Sequence, residues 1–210
     1  MLSMDMGSVV KENPILAIFR NIPQEIILDY TDTVIKGGIR FFEVALNGAQ
    51  GVKEISMLRE RFGDQCIIGA GTAITTDLVK QAKDAGAEFF LTPGTPPDVL
   101  EYCAGHGLPM LPGVYTPSDV ATCLEFGYKT MKLFPADCVP EGYLQALHGP
   151  FDEAQYMAIG GVCLDNIRAF FDRGYIGVGM ASSLMPKEIL EKRDWEAGKD
   201  YISELVRRVR

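Results

Sequence analysis

A glycine recurs just before each short apolar run of this chain, at Gly38, Gly63, Gly86, Gly107, Gly127 and Gly174. The intervals are 25, 23, 21, 20 and 47 residues, the last close to two of the others. A period of this size marks one supersecondary unit repeated along the chain. Each glycine closes an amphipathic segment, as in Leu78-Val79-Lys80-Gln81-Ala82-Lys83-Asp84-Ala85-Gly86. That placement predicts a helix ending in a left-handed C′ residue, a conformation costly for any side chain. A strand follows, here Ala87-Glu88-Phe89-Phe90-Leu91.

The pattern predicts strands at roughly 14–20, 39–46, 66–71, 88–92, 109–113, 129–134, 156–160 and 175–179, with a closing helix near 188–209. Eight apolar strands alternating with helices predict an α/β chain with a parallel sheet covered by helices: a (β/α)8 TIM barrel, in one domain spanning 1–210. A doubly wound open sheet is the rival, but the first strand runs into Arg20-Asn21-Ile22-Pro23 and not into a glycine fingerprint. Residues 1–12 read as a short lead-in helix or mobile segment.

Two strands carry a charge where a charge is expensive. Thr130-Met131-Lys132-Leu133-Phe134-Pro135-Ala136 places a lysine inside a buried run, and a buried amine tends to shed its proton and become a nucleophile toward carbonyl carbon. Lys132 is thus a candidate Schiff-base residue; the alternative is a lysine whose head snorkels past the strand end. In Phe41-Phe42-Glu43-Val44-Ala45-Leu46-Asn47, alternation puts Phe41, Glu43, Ala45 and Asn47 on one face. Glu43 then faces an interior, with a structural ion pair to the lysine as the alternative to catalysis. On a barrel the two lie on strands two and six, diametrically opposite, near the carboxyl ends where barrel enzymes keep their chemistry.

The other strand ends are polar or glycine-rich: Arg20, Gly71-Thr72, Thr92-Pro93-Gly94, Gly113, Gly160-Gly161 and Ser182-Ser183. Gly160, Gly161 and Ser182, after strands seven and eight, fall where many barrels bind phosphate through backbone N–H groups and a helix N-terminus. A formal charge of −8 argues against nucleic-acid or anionic-membrane partners and favours a small-molecule substrate. Five cysteines without a CxxC pair read as buried thiols, free of disulfides, in a reducing compartment. No signal-peptide pattern and no run of about 20 apolar residues is present, so a cytoplasmic protein is expected.

Glu43-Val44-Ala45-Leu46, Gly69-Ala70-Gly71-Thr72, Thr92-Pro93-Gly94, Lys132-Leu133-Phe134-Pro135-Ala136 and Gly160-Gly161-Val162 resemble, in order and spacing, the 2-keto-3-deoxy-6-phosphogluconate (KDPG) and 4-hydroxy-2-oxoglutarate (KHG) aldolases. The resemblance spans nearly the whole chain. It implies a class I lyase that cleaves keto-acid sugar phosphates to pyruvate and an aldehyde, with no metal and no cofactor beyond an imine on Lys132, and with Glu43 moving protons. It also implies a homotrimer. Substrate contacts would come from Arg20, Asn47, Thr72, Pro93, Phe134, Gly160, Gly161 and Ser182.

Two departures bear on substrate choice. Asn47 stands where the gluconate-type enzymes place an arginine, and Arg20 with Asn47 is similar to the 6-phosphogalactonate branch, in which an arginine ending strand one binds the carboxylate. Ala181 precedes Ser182 where a glycine is common, restricting backbone approach to phosphate. Other readings remain open. A metal-dependent aldolase needs clustered ligands, yet the two histidines, His106 and His148, fall in apparent helix or loop positions. A sugar-phosphate isomerase or synthase, or a non-catalytic phosphate-binding barrel, would keep the pocket without needing the amine.

Overall fold

A computed structural model describes residues 4–209; the first three positions of the expected lead-in lie outside them. The strands are β1 (Ile15–Phe19), β2 (Phe41–Ala45), β3 (Ile67–Gly71), β4 (Phe90–Leu91), β5 (Met110–Leu111), β6 (Gly113–Val114), β7 (Thr130–Leu133), β8 (Gln155–Ile159) and β9 (Gly177–Met180). All neighbouring pairs are parallel, in the order β5-β4-β3-β2-β1-β9-β8-β7-β6. The two ends of that order, β5 and β6, are separated only by Pro112. They are halves of one stave that the proline interrupts, because it has no N–H to give to a ladder. The chain itself therefore closes an eight-staved α/β barrel, as the repeat predicts, with the fifth strand broken and the fourth shorter than expected.

The helices are α1 (Met6–Glu12), α2 (Ile27–Lys36), α3 (Gly51–Phe62), α4 (Thr76–Asp84), α5 (Pro97–Gly105), α6 (Pro117–Glu125), α7 (Tyr143–His148), α8 (Ile167–Asp172), α9 (Lys187–Lys192) and α10 (Trp195–Val209). None of them is long and apolar enough to cross a membrane. Five of the six periodic glycines do have positive φ: Gly38, Gly86, Gly107, Gly127 and Gly174. In each case the next N–H reaches back five residues: Ile39 to Val34, Ala87 to Ala82, Leu108 to Cys103, Tyr128 to Cys123 and Tyr175 to Phe170. These are Schellman closures, so the sequence period is a period of identical helix stops. Gly63 departs from expectation. It stays right-handed at φ −57 as the C-cap of α3, and the chain leaves through Asp64 and Gln65 instead. The closing helix also comes in two pieces, α9 and α10, because Arg193 turns left-handed at φ 52 between them.

Alternation sorts the side chains into two shells. Ala17, Phe19, Phe42, Val44, Met131, Leu133, Tyr156 and Ala158 point outward under the helices. Leu16, Ile18, Phe41, Phe89, Leu91, Leu111, Met157 and Ile159 fill the barrel, and Met6 and Val10 of α1 join that cluster. Strands buried on both faces explain the uninterrupted apolar runs. Of the cysteines, Cys66, Cys103 and Cys123 are buried as expected; Cys163, in the loop after β8, is half-buried, Cys138, at the end of a short 3-10 turn (Ala136–Cys138) after β7, is exposed, and all five are free.

Inward glycines on β3 make room for larger groups from the neighbouring staves, β2 and β4. A Cβ at Gly69 would lie 2.4 Å from the Phe89 ring. At Gly127 (φ +84) no atom lies within 4 Å, so only backbone strain opposes a side chain there. Gly127→Ala should therefore cost about 1 kcal/mol, and Gly69→Ala should cost more, since overpacking of about 1–3 kcal/mol acts on a fixed ring. Urea unfolding of the two variants checks this ranking, and a larger loss for Gly127→Ala would contradict the packed inward face.

Candidate active site

Lys132 lies at the centre of β7, paired with Gly113 of β6 and Met157 of β8, and Glu43 at the centre of β2, paired with Ile18 and Gly69. Both point into the barrel. Lys132 is 4% exposed and Glu43 1%, so the snorkelling alternative for the lysine does not hold. The ion-pair alternative fails as well: Glu43 Oε2 is buried with no hydrogen-bond partner, and Lys132 Nζ lies 5.1 Å from the centre of the Phe134 ring. The two groups face one cavity of about 340 Å³ without touching.

Room for the carboxylate comes from a missing side chain. A Cβ at Gly71 would fall 1.6 Å from Glu43 Oε1, so Glu43 lies across the end of β3 where only glycine fits. Burial then acts on both charges. Desolvation holds the Glu43 carboxyl above its ordinary range, against the opposing pull of Lys132 and Arg20. Desolvation also lowers the Lys132 amine, which Glu43 opposes and the positive charge of Arg20 reinforces. Both shifts favour the neutral forms, a free amine beside a carboxyl that can hold a proton.

Arg20 follows β1 at the mouth. Its side chain is exposed, lines the same cavity, and has no partner among the described residues. Phe134, Gly160, Gly161 and Ser182 line it too. Three expected contacts are not in its wall. Asn47 lies beyond the end of β2, where alternation stops; it is exposed in an adjoining hollow shared with Asn21 and Gln50. Pro93 is exposed, and its backbone packs against Gly113. Thr72 is half-buried just past Gly71, with φ 57, a strained value for a β-branched residue.

Ile18, Ile159, Val162, Cys163, Gly179, Ala181 and Ser183 also line the cavity, beyond the contacts the sequence predicts. Alternation does place Ile18 there, two residues before Arg20 on the inward face of β1. It cannot place Ser183, whose hydroxyl is bonded to Val162 O, a contact between loops 21 residues apart.

Gly160 (φ +108) and Gly161 (φ +70) turn the chain sharply after β8. Among the described residues, the N–H groups of Gly161, Val162, Ser182 and Ser183 have no hydrogen-bond partner. The expected helix N-terminus is not part of this cradle, since α8 starts only at Ile167, after a turn. Oriented loop amides of this kind suit an anion. Among the described residues no three His, Cys, Asp or Glu side chains converge as metal donors.

Comparison with known proteins gives a consistent set of likenesses. The family model for KDPG and KHG aldolase matches residues 6–200. The chain is 33% identical over 184 residues to the 2-dehydro-3-deoxy-phosphogluconate aldolase of Haemophilus influenzae, covering 87% of this chain and 84% of that one. It is 32% identical over 173 residues to the 2-dehydro-3-deoxy-6-phosphogalactonate aldolase of Escherichia coli K12, covering 81% and 84%. Its fold matches the KDPG aldolase of Legionella pneumophila, solved with pyruvate captured as a covalent carbinolamine, at a TM-score of 0.88 and 26% identity, covering 96% and 98%.

Holding two unpaired ionisable groups in an apolar barrel should weaken the fold. An unfolded lysine keeps its proton up to about pH 10.4; stability is lost as pH falls from there through the lowered folded value of Lys132. For Glu43 the sign reverses: stability is lost as pH rises from its unfolded value through the raised folded one. Lys132→Met, which exchanges a buried amine without a partner for an apolar side chain of similar length, should be more stable near neutral pH by about 1–3 kcal/mol. Chemical denaturation checks this, and a less stable variant would mean that the amine supports the fold.

Proposed function

Since the chain belongs to the KDPG and KHG aldolase family, we propose that it acts as a class I aldolase on 2-keto-3-deoxy-6-phosphogluconate and/or 4-hydroxy-2-oxoglutarate, releasing pyruvate and glyceraldehyde 3-phosphate or glyoxylate. The observation that carries this reading is the buried, unpaired amine of Lys132 facing the buried carboxyl of Glu43 across one cavity.

The neutral amine attacks C2 of the keto acid; the protonated Glu43 carboxyl then gives its proton to the carbinolamine hydroxyl, which leaves as water, so that a protonated imine faces a Glu43 carboxylate. Glu43, directly or through a water, takes the C4 hydroxyl proton as the C3–C4 bond breaks; the bonding pair moves into the imine to leave an enamine, and the aldehyde departs. Glu43 then returns the proton to C3, and hydrolysis of the imine frees pyruvate and the lysine. A covalent pyruvate carbinolamine in the Legionella relative is the intermediate that such an amine would form.

Arg20 supplies the positive charge at one end of the cavity, suited to the substrate carboxylate. The loop amides after β8 and β9, with the Ser182 hydroxyl, suit the far phosphate. The 6-phosphogalactonate epimer is the second reading. It is favoured by Arg20 lining the cavity while Asn47 lies outside it, and by the likeness to the galactonate enzyme.

Borohydride reduction in the presence of pyruvate should add a pyruvyl mass to the Lys132 peptide, and an unmodified peptide at saturating pyruvate would sink the proposal. Lys132→Ala should abolish both trapping and cleavage. Glu43→Gln should retain trapping and lose about 10²- to 10⁴-fold in turnover; near-normal turnover would assign the proton transfer to another group. Arg20→Ala should raise KM for every 2-keto acid, by a charge-assisted bond's worth of about 1.5–3 kcal/mol, whereas a penalty confined to phosphorylated substrates would move Arg20 to the other end of the site.

A further inference from the structure

The loops after β8 and β9 carry a hydrogen-bond network that the proposed chemistry does not use. Asn166 brackets the first loop: its Nδ2 donates to Gly161 O and its Oδ1 accepts from the Cys163 N–H, both at 2.8 Å. The Ser183 hydroxyl, on the second loop, donates to Val162 O on the first. The Tyr201 hydroxyl of α10 then donates to Ser183 O at 3.4 Å. Among the described residues, the Ser183 bond is the one that joins the two loops directly.

These bonds fix where the amides point. In a trans peptide the C=O of one residue and the N–H of the next are opposed. Holding Gly161 O on Asn166 therefore turns the Val162 N–H the other way. Holding Val162 O on Ser183 turns the Cys163 N–H toward Asn166, where it is found. Gly161, Val162, Ser182 and Ser183 keep unpartnered N–H groups and all line the cavity of Lys132. No lysine, arginine or histidine reaches this end; the cationic groups in the wall are Arg20 and Lys132. An anion here depends on amide geometry and the Ser182 hydroxyl, with no side-chain cation, so whatever fixes the separation of the loops acts on its affinity.

The two serines divide the work. Ser182 has no side-chain partner among the described residues and is free to meet a ligand. Ser183 has committed its single O–H to Val162 O, so it acts through the backbone.

We propose that Ser183 is a positioning residue for the anionic far end of the substrate: by clamping Val162 O it locks the loops after β8 and β9 at the spacing where their free N–H groups converge on one oxyanion. The inference rests on the aldolase reading for the identity of the ligand, a phosphate ester or a terminal carboxylate. The clamp itself rests on the hydrogen bonds.

The test compares wild type with Ser183→Ala, Ser183→Thr and Tyr201→Phe, using 2-keto-3-deoxy-6-phosphogluconate, 4-hydroxy-2-oxoglutarate and inorganic phosphate as probes. Ser183→Ala should raise KM for the phosphorylated substrate and weaken inorganic phosphate binding by about 3- to 10-fold, the worth of one ordinary hydrogen bond, with kcat within about twofold. Ser183→Thr, which keeps the hydroxyl, should recover most of the loss, and Tyr201→Phe should show a smaller shift in the same direction. A shift seen with the dicarboxylate alone would assign the clamped cradle to a terminal carboxylate. Unchanged KM and phosphate binding, or a matching loss of pyruvate trapping in Ser183→Ala, would overturn the positioning role. Should wild type itself fail to trap pyruvate, the aldolase reading falls, while weakened phosphate binding in Ser183→Ala would still support the clamp. If Ser183→Ala does not fold, phosphate binding by Tyr201→Phe and Ser183→Thr decides.

Discussion

The barrel interior is arranged around two ionisable groups kept apart. An amine and a carboxyl within reach of each other would form an ion pair, and each would be spent on the other. Here they project from opposite staves, Lys132 from β7 and Glu43 from β2, and the cavity lies between them. Their separation leaves desolvation as the first cause of both shifts, so each is biased toward its uncharged form. An uncharged amine can attack a carbonyl, and a carboxyl whose proton is held more tightly than usual can give that proton up and take one back. Separation beyond ion-pair contact across one cavity is thus the structural condition for the proposed chemistry.

Keeping that space open falls to residues that contribute little bulk. Gly71 admits the Glu43 side chain, and the inward Gly179 of β9 leaves room beside Ile159 and Ile18, whose atoms a Cβ would approach to 2.7–2.9 Å. Below them the barrel is filled by Phe41, Phe89, Leu111 and Met157 and extended by Met6 and Val10 of α1. Strain collects at the open end. Asn21 (φ 58) and Thr72 (φ 57) take left-handed backbone conformations immediately after Arg20 and Gly71. Each costs of the order of 1–3 kcal/mol, and each sits where β1 or β3 must turn sharply to leave the mouth clear. Packed bottom and strained top fit a scaffold whose stability resides at one face and whose function resides at the other.

The sequence discloses the fold because one local device repeats. Five positive-φ glycines close five helices with the same six-residue bond, and a local motif can be read without knowing any tertiary contact. Gly63 breaks the pattern for the same reason the others keep it: glycine permits the left-handed state without requiring it. Lys132 and Glu43 are legible because a charge within a run buried on both faces has few alternatives. Asn47 falls outside the cavity because the period of two that puts it on the face of Glu43 stops at Ala45, where the strand ends, and the resemblance that names it as a contact carries no geometry of its own. Ser183 and Asn166 were out of reach for a different cause. Their partners are carbonyls set by loop geometry, and nothing in residue type or spacing says which carbonyl a hydroxyl will find.

The polarity of the cavity follows from that division. At one end stand Arg20 and the lowered amine of Lys132; at the other are neutral amides, whose pull on an anion falls away once they are turned from it. A side-chain cation can follow its ligand on flexible bonds. An amide cradle cannot, and must be preorganised by bonds made on its far side, as Asn166, Ser183 and Tyr201 do. In a chain of formal charge −8, long-range attraction for an anionic substrate is weak. On the proposed reading, recognition of such a substrate therefore rests on short-range geometry: one exposed arginine at the mouth to meet the carboxylate, and a fixed set of N–H groups into which the far end either fits or does not.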